Sequence, residues 1–163
     1  MLSCRLFALI ALCAGLLSCE GTGNTSASGD GRVIGGVKTT AYTHTEADHK
    51  KYKTATAAGG TLKYGNVRSA AADWSVYPVG TQFKIDGDSN VYEVDDYGSA
   101  LVGTNTIDLY KPSKADMNKW GARNVNIHVI KWGSFTKSLA IMKDREKVSQ
   151  RVRDMVQRIQ RSS

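Results

Sequence analysis

Two short segments of alternating polar and apolar residues, joined by a turn, constrain the fold of this chain most strongly. Residues 82–85 and 90–94 alternate with the two-residue period of half-buried β-strands. Residues 86–89 between them read Asp-Gly-Asp-Ser, a composition that favours a turn. The sequence therefore predicts a β-hairpin, and the region between Thr39 and Trp132 consists of similar short β runs punctuated by turns.

A closing strand and one short helix complete this region. Residues 124–131 alternate again and predict the strand. Ser113 is a suitable N-cap for a short helix over residues 114–120, which ends near Gly121. One helix thus interrupts a mainly β domain, which we place at residues 37–134.

The C-terminal segment, residues 135–163, is the most basic part of the chain. It carries eight Lys or Arg residues against three acidic ones, whereas residues 37–134 carry twelve against ten. Its apolar residues recur at helical spacing and predict a basic amphipathic helix; they are Ile141, Val148, Val152, Met155, Val156 and Ile159. Three roles stay open: a cap packed on the domain, contact with anionic lipid headgroups or wall polymer, and self-association as a short coiled coil.

The N-terminus has the organisation of an export signal. One positive charge precedes an apolar run over residues 6–17, shorter than the ~20 residues that span a bilayer, so residues 1–18 are predicted to be a signal peptide. The Leu-Leu-Ser-Cys sequence that ends at Cys19 resembles the lipobox of bacterial lipoproteins, in which the cysteine is acylated. Residues 19–36 are then predicted to be a lipidated, flexible tether, because a segment so rich in Gly, Ser and Thr cannot bury a core.

These features predict a cell-envelope protein held to a membrane through lipidated Cys19, at the outer membrane and facing the periplasm. The alternative is ordinary secretory cleavage that leaves an unmodified cysteine. Cys4 and Cys13 lie in the predicted signal peptide, so the mature chain is expected to form no internal disulfide. Nucleic-acid binding is not expected of an exported, lipid-anchored chain without a recognition fold.

Three aspartates stand beside strand-like residues. Asp73, Asp96 and Asp108 each adjoin short apolar runs, although aspartate is a poor strand former. Such placement indicates acid/base chemistry. Each aspartate taken singly is more simply explained by a turn-forming role.

Five motifs in order make a family resemblance specific. The region from Thr39 to Trp132 resembles the 3D domain family, a double-psi β-barrel family named for its three aspartates. It is similar to the catalytic barrel of membrane-bound lytic transglycosylase A and, more loosely, to rare lipoprotein A and the expansins. The matching stretches are residues 40–43, 53–55, 72–81, 96–103 and 107–110. The resemblance implies a mainly β fold, a six-stranded double-psi β-barrel with a short inserted helix and a C-terminal amphipathic helix.

The resemblance also implies an activity on the cell wall. Lytic transglycosylases cleave the β-1,4 bond between N-acetylmuramic acid and N-acetylglucosamine in peptidoglycan strands, and leave a 1,6-anhydro sugar. A single carboxyl group acts first as acid and then as base, since the sugar's own C6 hydroxyl is the nucleophile. By resemblance this group is Asp108, with Asp96 and Asp73 as orienting and tuning partners. The alternative is a non-catalytic peptidoglycan-binding or envelope-scaffolding lipoprotein.

Two departures from the family pattern bear on this activity. Ser99 stands where glycine is usual, and Val102 stands where lysine is usual. Any substrate contact that this lysine makes in relatives is lost here or supplied elsewhere.

Further residues are expected to bind the substrate. They are Lys53 and Thr54 for polar groups of the glycan or the stem peptide's carboxylate, Tyr42 and Tyr97 for stacking on sugar rings, and Gly98 beside the aspartate. We expect Trp74 and Trp120 to be core residues. No cofactor and no metal are expected, because the loop from Asp86 lacks the residues of a calcium site and His44 with His49 has no third ligand. A monomer is expected.

Overall fold

Six strands form a barrel, and three helices lie outside it. The computed structural model describes residues 31–47 and 49–162, so the predicted signal peptide and Cys19 lie outside the described residues. The strands are β1 (Val33–Tyr42), β2 (Val67–Ala71), β3 (Gln82–Ile85), β4 (Val91–Asp96), β5 (Thr106–Tyr110) and β6 (Arg123–Lys131). The helices are α1 (Lys114–Trp120), α2 (Phe135–Met142) and α3 (Gln150–Ser162), with 3-10 turns at Lys50–Tyr52 and Arg145–Lys147.

The barrel closes in the strand order β1-β5-β2-β4-β3-β6. Strand β1 pairs in parallel with β5 and antiparallel with β6, which makes the first and last strands neighbours. Strand β2 lies between β4, to which it is parallel, and β5, to which it is antiparallel. The prediction of a mainly β, six-stranded barrel is confirmed.

The local predictions inside the barrel are confirmed as well. Strands β3 and β4 form the expected antiparallel hairpin. Strand β6 closes the barrel by pairing with both β1 and β3. Helix α1 begins after Ser113, whose side chain accepts a hydrogen bond from the Asp116 amide, and it ends at Gly121.

Aromatic residues fill the centre of the barrel. Phe83 and Tyr92 face each other across the hairpin with stacked rings 5.5 Å apart, and both are fully buried. Trp74 and Tyr77 are buried nearby in the same cluster. These large side chains hold the barrel together by packing, since burial of an aromatic side chain removes much apolar surface from water.

The barrel begins earlier than its composition indicates. Strand β1 starts at Val33, inside the segment predicted to be a tether that ends at residue 36. Val33 and Ile34 pair with β6, and the register shifts before Val37 at a pair of glycines. Glycine-rich composition is typical of linkers, but here it accommodates an irregularity, and Gly36 has a φ of +66° that favours glycine.

The C-terminal segment forms two α-helices instead of the single helix predicted. Helices α2 and α3 are separated by the 3-10 turn at Arg145–Lys147. One face of α3 is buried in the barrel's main core cluster through Val152, Met155, Val156 and Ile159. This placement agrees with the capping role among the three that the sequence left open. Within residues 31–47 and 49–162, no helix has both the length and the apolar character to span a bilayer.

The start of α2 docks closely on the turn before β3, and Gly133 makes this approach possible. A Cβ atom at Gly133 would lie 2.3 Å from the Pro78 carbonyl oxygen and 2.4 Å from that of Val79. The Gly133 amide also donates a hydrogen bond to Thr81 Oγ1, at 3.0 Å. No side chain fits here, because backbone atoms cannot give way as a flexible side chain would.

We predict that Gly133→Ala destabilises the protein by roughly 2 kcal/mol or more, since α2 must move off the turn to relieve the overlap. Gly65→Ala is the matched control, because a Cβ atom there meets nothing within 4 Å. Urea unfolding of both variants measures the difference. Equal free energies of unfolding for the two variants would contradict the prediction.

Candidate functional site

Four residues on adjacent strands form a row across the barrel wall. Asp108 on β5 pairs with Thr40 on β1 and with Ala71 on β2, and Ala71 pairs on its other side with Asp96 on β4. Neighbouring strands are ~4.8 Å apart, so the two aspartate Cα atoms are separated by about 10 Å. The small side chain of Ala71 between them leaves the space above the row open.

All four residues of the row line one cleft. Its volume is about 260 Å³. The cleft brings together the carboxylates of Asp96 and Asp108, two predicted catalytic residues. Its walls are formed by Thr40, Ala41, Tyr42, Glu46, His49, Ala71, Asp96, Tyr97, Gly98, Leu101 and Asp108.

Asp96 is a buried carboxyl group whose position is held by backbone donors. The amides of Ala57 and Tyr97 donate to its Oδ1 at 3.2 and 2.9 Å. Only 7% of the residue is exposed, and burial raises the pKa of Asp96 above its ordinary value. The two amides and His49 oppose this shift, while Asp95 adds to it. The net shift favours the protonated form, as a general acid requires.

Asp108 is the more accessible of the two carboxyl groups. It is partly exposed, and Thr40 Oγ1 donates a hydrogen bond to its Oδ1 at 2.8 Å. Because Thr40 lies directly opposite on β1, this bond orients the carboxyl group from a rigid strand. The arrangement places a proton-transfer group where a ligand in the cleft can reach it.

Asp73 does not line this cleft. Its side chain is fully buried, and its Oδ1 accepts hydrogen bonds from the Ser75 amide and hydroxyl at 2.8 and 2.6 Å. Its Oδ2 accepts from the Gly103 amide at 2.7 Å and forms an ion pair with Arg158 of α3 at 3.2 Å. The structure therefore brings two of the three predicted catalytic aspartates together and places the third behind the cleft wall.

Asp95 lies beside Asp96 in the chain but serves a different purpose. The register between β2 and β4 shifts at this point, so Asp95 is the extra residue of a β-bulge. Its Oδ2 accepts a hydrogen bond from Ser69 Oγ at 2.7 Å and forms an ion pair with Lys63 at 3.2 Å. Only Asp96 of the two lines the cleft, because the bulge places Asp96, and not Asp95, opposite Ala71.

The predicted substrate-binding residues separate into two groups. Tyr42, Tyr97 and Gly98 line the cleft. Lys53 and Thr54 are exposed and do not line it. Substrate binding stays a prediction for all five residues. Tyr42, Tyr97 and Gly98 have direct access to the cleft.

Val102 and Trp74 lie in the core and not in the cleft. Val102 is 7% exposed, belongs to the main core cluster and does not line the cleft. Trp74 is fully buried, and its indole nitrogen donates to the Asp96 carbonyl oxygen at 2.8 Å. Trp74 thus supports the cleft from behind by fixing the backbone of Asp96.

Two titratable residues of the cleft, His49 and Glu46, are among those that sequence reasoning did not place there. His49 and Glu46 lie on the segment between β1 and β2, which has no regular pattern that would place them near β4 and β5. Among the described residues, His49 Nε2 and Tyr42 Oη are buried without a hydrogen-bond partner. Their rings lie 5.3 Å apart. The only signal available beforehand was the presence of histidine and glutamate close after the first strand.

Tyr42 is buried among the acidic residues of the site. Burial raises the pKa of its phenol well above the usual value, and the carboxylates of Asp96, Asp95 and Asp108 raise it further. Tyr42 is therefore a neutral hydrogen-bond donor at physiological pH. Within the described residues, no group of three or more His, Cys, Asp or Glu side chains is placed to hold a metal ion.

Comparison with known proteins identifies the type of domain. Residues 68–131 match the model of the 3D domain. The cell wall-binding protein YocH of Bacillus subtilis (strain 168) is 35% identical over 95 residues, which cover 58% of this chain and 31% of YocH. The putative cell wall shaping protein YabE of the same organism is 32% identical over 114 residues, which cover 64% of this chain and 28% of YabE. The matched region thus spans less than a third of either relative.

We predict that Asp96→Asn stabilises the protein at neutral pH. The native state holds a proton on Asp96 more tightly than the unfolded chain does, so ionisation of this buried group costs stability as the pH rises through its raised pKa. Asparagine has no such cost, and its amide oxygen accepts the same two backbone hydrogen bonds.

Urea unfolding of the wild type and Asp96→Asn across a pH series measures this effect. The difference in free energy of unfolding should be largest near neutrality and should vanish below the ordinary aspartate pKa of 3.8, where both states of the wild type are protonated. A difference independent of pH, or a variant less stable than the wild type near neutrality, would refute the expectation.

Proposed function

We propose that this chain, which belongs to the 3D domain family, binds peptidoglycan glycan strands in the cleft and cleaves them as a lytic transglycosylase. The observation that carries the proposal is the cross-strand row, which sets Asp108 and Asp96 in one open cleft from rigid strands. The names of the two relatives, a cell wall-binding and a putative cell wall shaping protein, agree with such a substrate.

Asp108 is the acid and base of this reaction. Protonated, it donates to the oxygen of the scissile β-1,4 bond, between N-acetylmuramic acid and N-acetylglucosamine. As a carboxylate, it then accepts the proton of the C6 hydroxyl, which attacks C1 and closes the 1,6-anhydro ring. Partial exposure and the hydrogen bond from Thr40 suit this role, because the group must reach the glycan while staying oriented.

Asp96 and Tyr42 adjust the charge around Asp108. A raised pKa keeps Asp96 protonated to a higher pH than a free carboxyl group, so it donates a hydrogen bond to the substrate. Tyr42 adds a neutral phenol beside both aspartates.

The same proposal includes the location of the protein. A glycan-cleaving domain needs access to the cell wall, and the predicted signal peptide with lipidated Cys19 would hold it in the envelope, at the outer membrane and facing the periplasm. The segment from residue 20 up to β1 would set the reach of the domain from the membrane.

A second candidate function, peptidoglycan binding without cleavage, is favoured by one specific observation. Val102 occupies the position of the usual lysine of the family pattern and is buried in the core. A cleft that lacks this cation binds a glycan with fewer charged contacts. Cleavage assays separate the two candidates directly.

We predict that the wild type releases anhydro-muropeptides from purified sacculi and that Asp108→Asn reduces the rate at least ~100-fold, since general acid/base groups contribute about 10²- to 10⁴-fold. Mass spectrometry of the soluble products measures the rate. Asp86→Asn is the matched control, because Asp86 is an exposed carboxylate outside the cleft, bonded to Asn126 and His128.

Two results would decide against catalysis. Sacculi that bind the wild type but release no anhydro product support the non-catalytic function. Undiminished release by a folded Asp108→Asn variant excludes Asp108 as the acid and base.

A further inference from the structure

The carboxylate of Asp73 connects several parts of the chain through its hydrogen bonds and its ion pair. One oxygen holds the turn at Ser75, and the other holds the Gly103 amide and the Arg158 guanidinium. This fully buried carboxylate accepts three hydrogen bonds, two from Ser75 in its own turn and one from Gly103, and it is paired with the opposite charge of Arg158. It therefore joins three parts of the chain rigidly. The group is not available to a ligand, but it determines where Gly103 and α3 lie.

Gly103 belongs to the segment that forms one wall of the cleft. In residues 97–103, Tyr97, Gly98 and Leu101 line the cleft directly. The Leu101 amide donates to the Gly98 carbonyl oxygen at 3.0 Å, so this wall is a tight turn and not a strand. A turn outside the sheet has no ladder of strand hydrogen bonds to fix it, and the Asp73 contact to Gly103 supplies an anchor at its end.

Arg158 is the contribution of α3 to this anchor. Its guanidinium lies so close to Gly103 that a Cβ atom there would be 2.9 Å from Nη2, and the Gly103 φ of +84° also favours glycine. The buried face of α3 and Val102 share one core cluster, so helix and wall are packed as well as ion-paired. A second basic residue of the C-terminal segment, Arg145, lies 6.0 Å from the ring of Tyr97.

These contacts connect the cleft to a part of the chain that the family match does not include. The match ends at residue 131, whereas Arg145 and Arg158 lie beyond it. From this geometry we propose that Arg158 is a positioning residue, which holds the cleft wall at residues 97–103 through Asp73. The C-terminal helices are then a structural part of the glycan-binding site, and Asp73 acts through the wall instead of touching the substrate.

The consequence for glycan binding rests on the proposed function, but the effect on the wall does not. Replacing Arg158 by glutamine leaves the buried carboxylate of Asp73 without its cation, so the junction loosens. Lysine restores the charge but not the planar guanidinium that lies on Gly103, so it should restore the wall only in part. Arg161→Gln removes the same charge from an exposed position of the same helix.

Hydrogen exchange of the full chain, measured by amide for residues 98–104, tests the junction. Arg158→Gln should speed exchange of the Gly103 amide at least ~10-fold while the amides of β3 and β4 keep their protection, Arg158→Lys should give an intermediate rate, and Arg161→Gln should match the wild type. Unchanged exchange at Gly103 in Arg158→Gln overturns the proposal. So does an equal increase throughout the barrel, since that indicates a purely global loss of stability.

Binding and turnover on purified sacculi test the link to the cleft. Arg158→Gln should weaken sacculus binding several-fold more than Arg161→Gln, with Arg158→Lys between them and the rate at saturating sacculi changed less than the affinity. Loosened exchange at Gly103 with unchanged affinity overturns the link. If the wild type neither binds nor cleaves sacculi, the proposed function fails, and exchange at Gly103 alone decides whether Arg158 positions the wall.

Discussion

The register of β2 between β4 and β5 is the constraint on which the site depends. Ala71 pairs with Asp108 on one side and with Asp96 on the other, so the strand pairing that builds the barrel also places both aspartates at the cleft. A register slip of one residue would turn side chains of β2 to the opposite face of the wall. The bulge at Asp95 contributes to this precision, because it turns one of two consecutive aspartates toward Lys63 and leaves the other in the cleft.

Two buried aspartates, Asp96 and Asp73, have different roles in this domain. Asp96 accepts hydrogen bonds from two backbone amides and, among the described residues, forms no ion pair, so burial raises its pKa. Asp73 has a cation and three donors, so its charge is satisfied and its role is mechanical. The difference follows from the partners and not from the residue type, which is why three aspartates in similar local sequences need not share one function.

The C-terminal helices support the cleft from outside the six strands. The apolar face of α3 completes the core of the barrel, and Arg158 of this helix forms an ion pair with Asp73. Arg145 of the preceding 3-10 turn lies 6.0 Å from the ring of Tyr97 in the cleft wall. A region that looks like an appendage in the sequence is therefore joined to the site by packing and by charge. Under the proposed function, such a connection would let the segment outside the family match influence glycan binding without contacting the glycan.

Regular patterns were readable from the sequence, whereas contacts between distant segments were not. Alternation over residues 82–94 predicted the hairpin, the Ser113 cap predicted α1, and the five ordered motifs predicted the six-stranded barrel, since each depends on neighbours in the chain or on family order. The glycines before Val37 were interpreted as a linker because the pairing of Val33, Ile34 and Val37 with β6 on either side of them is a long-range contact. The break between α2 and α3 also escaped prediction, since the apolar spacing continues across it.

By itself, the sequence determined a mainly β domain, because strand periodicity is a local property, and it singled out Asp73, Asp96 and Asp108 as unusual carboxylates. The six-stranded barrel was implied by the family resemblance of the ordered motifs. Only the tertiary structure decided that Asp96 and Asp108 share a cleft with His49 and Tyr42 while Asp73 pairs with Arg158. The physical reason is that the environment of a carboxyl group is set by residues up to 85 positions away in the chain, which the folded barrel alone brings into contact.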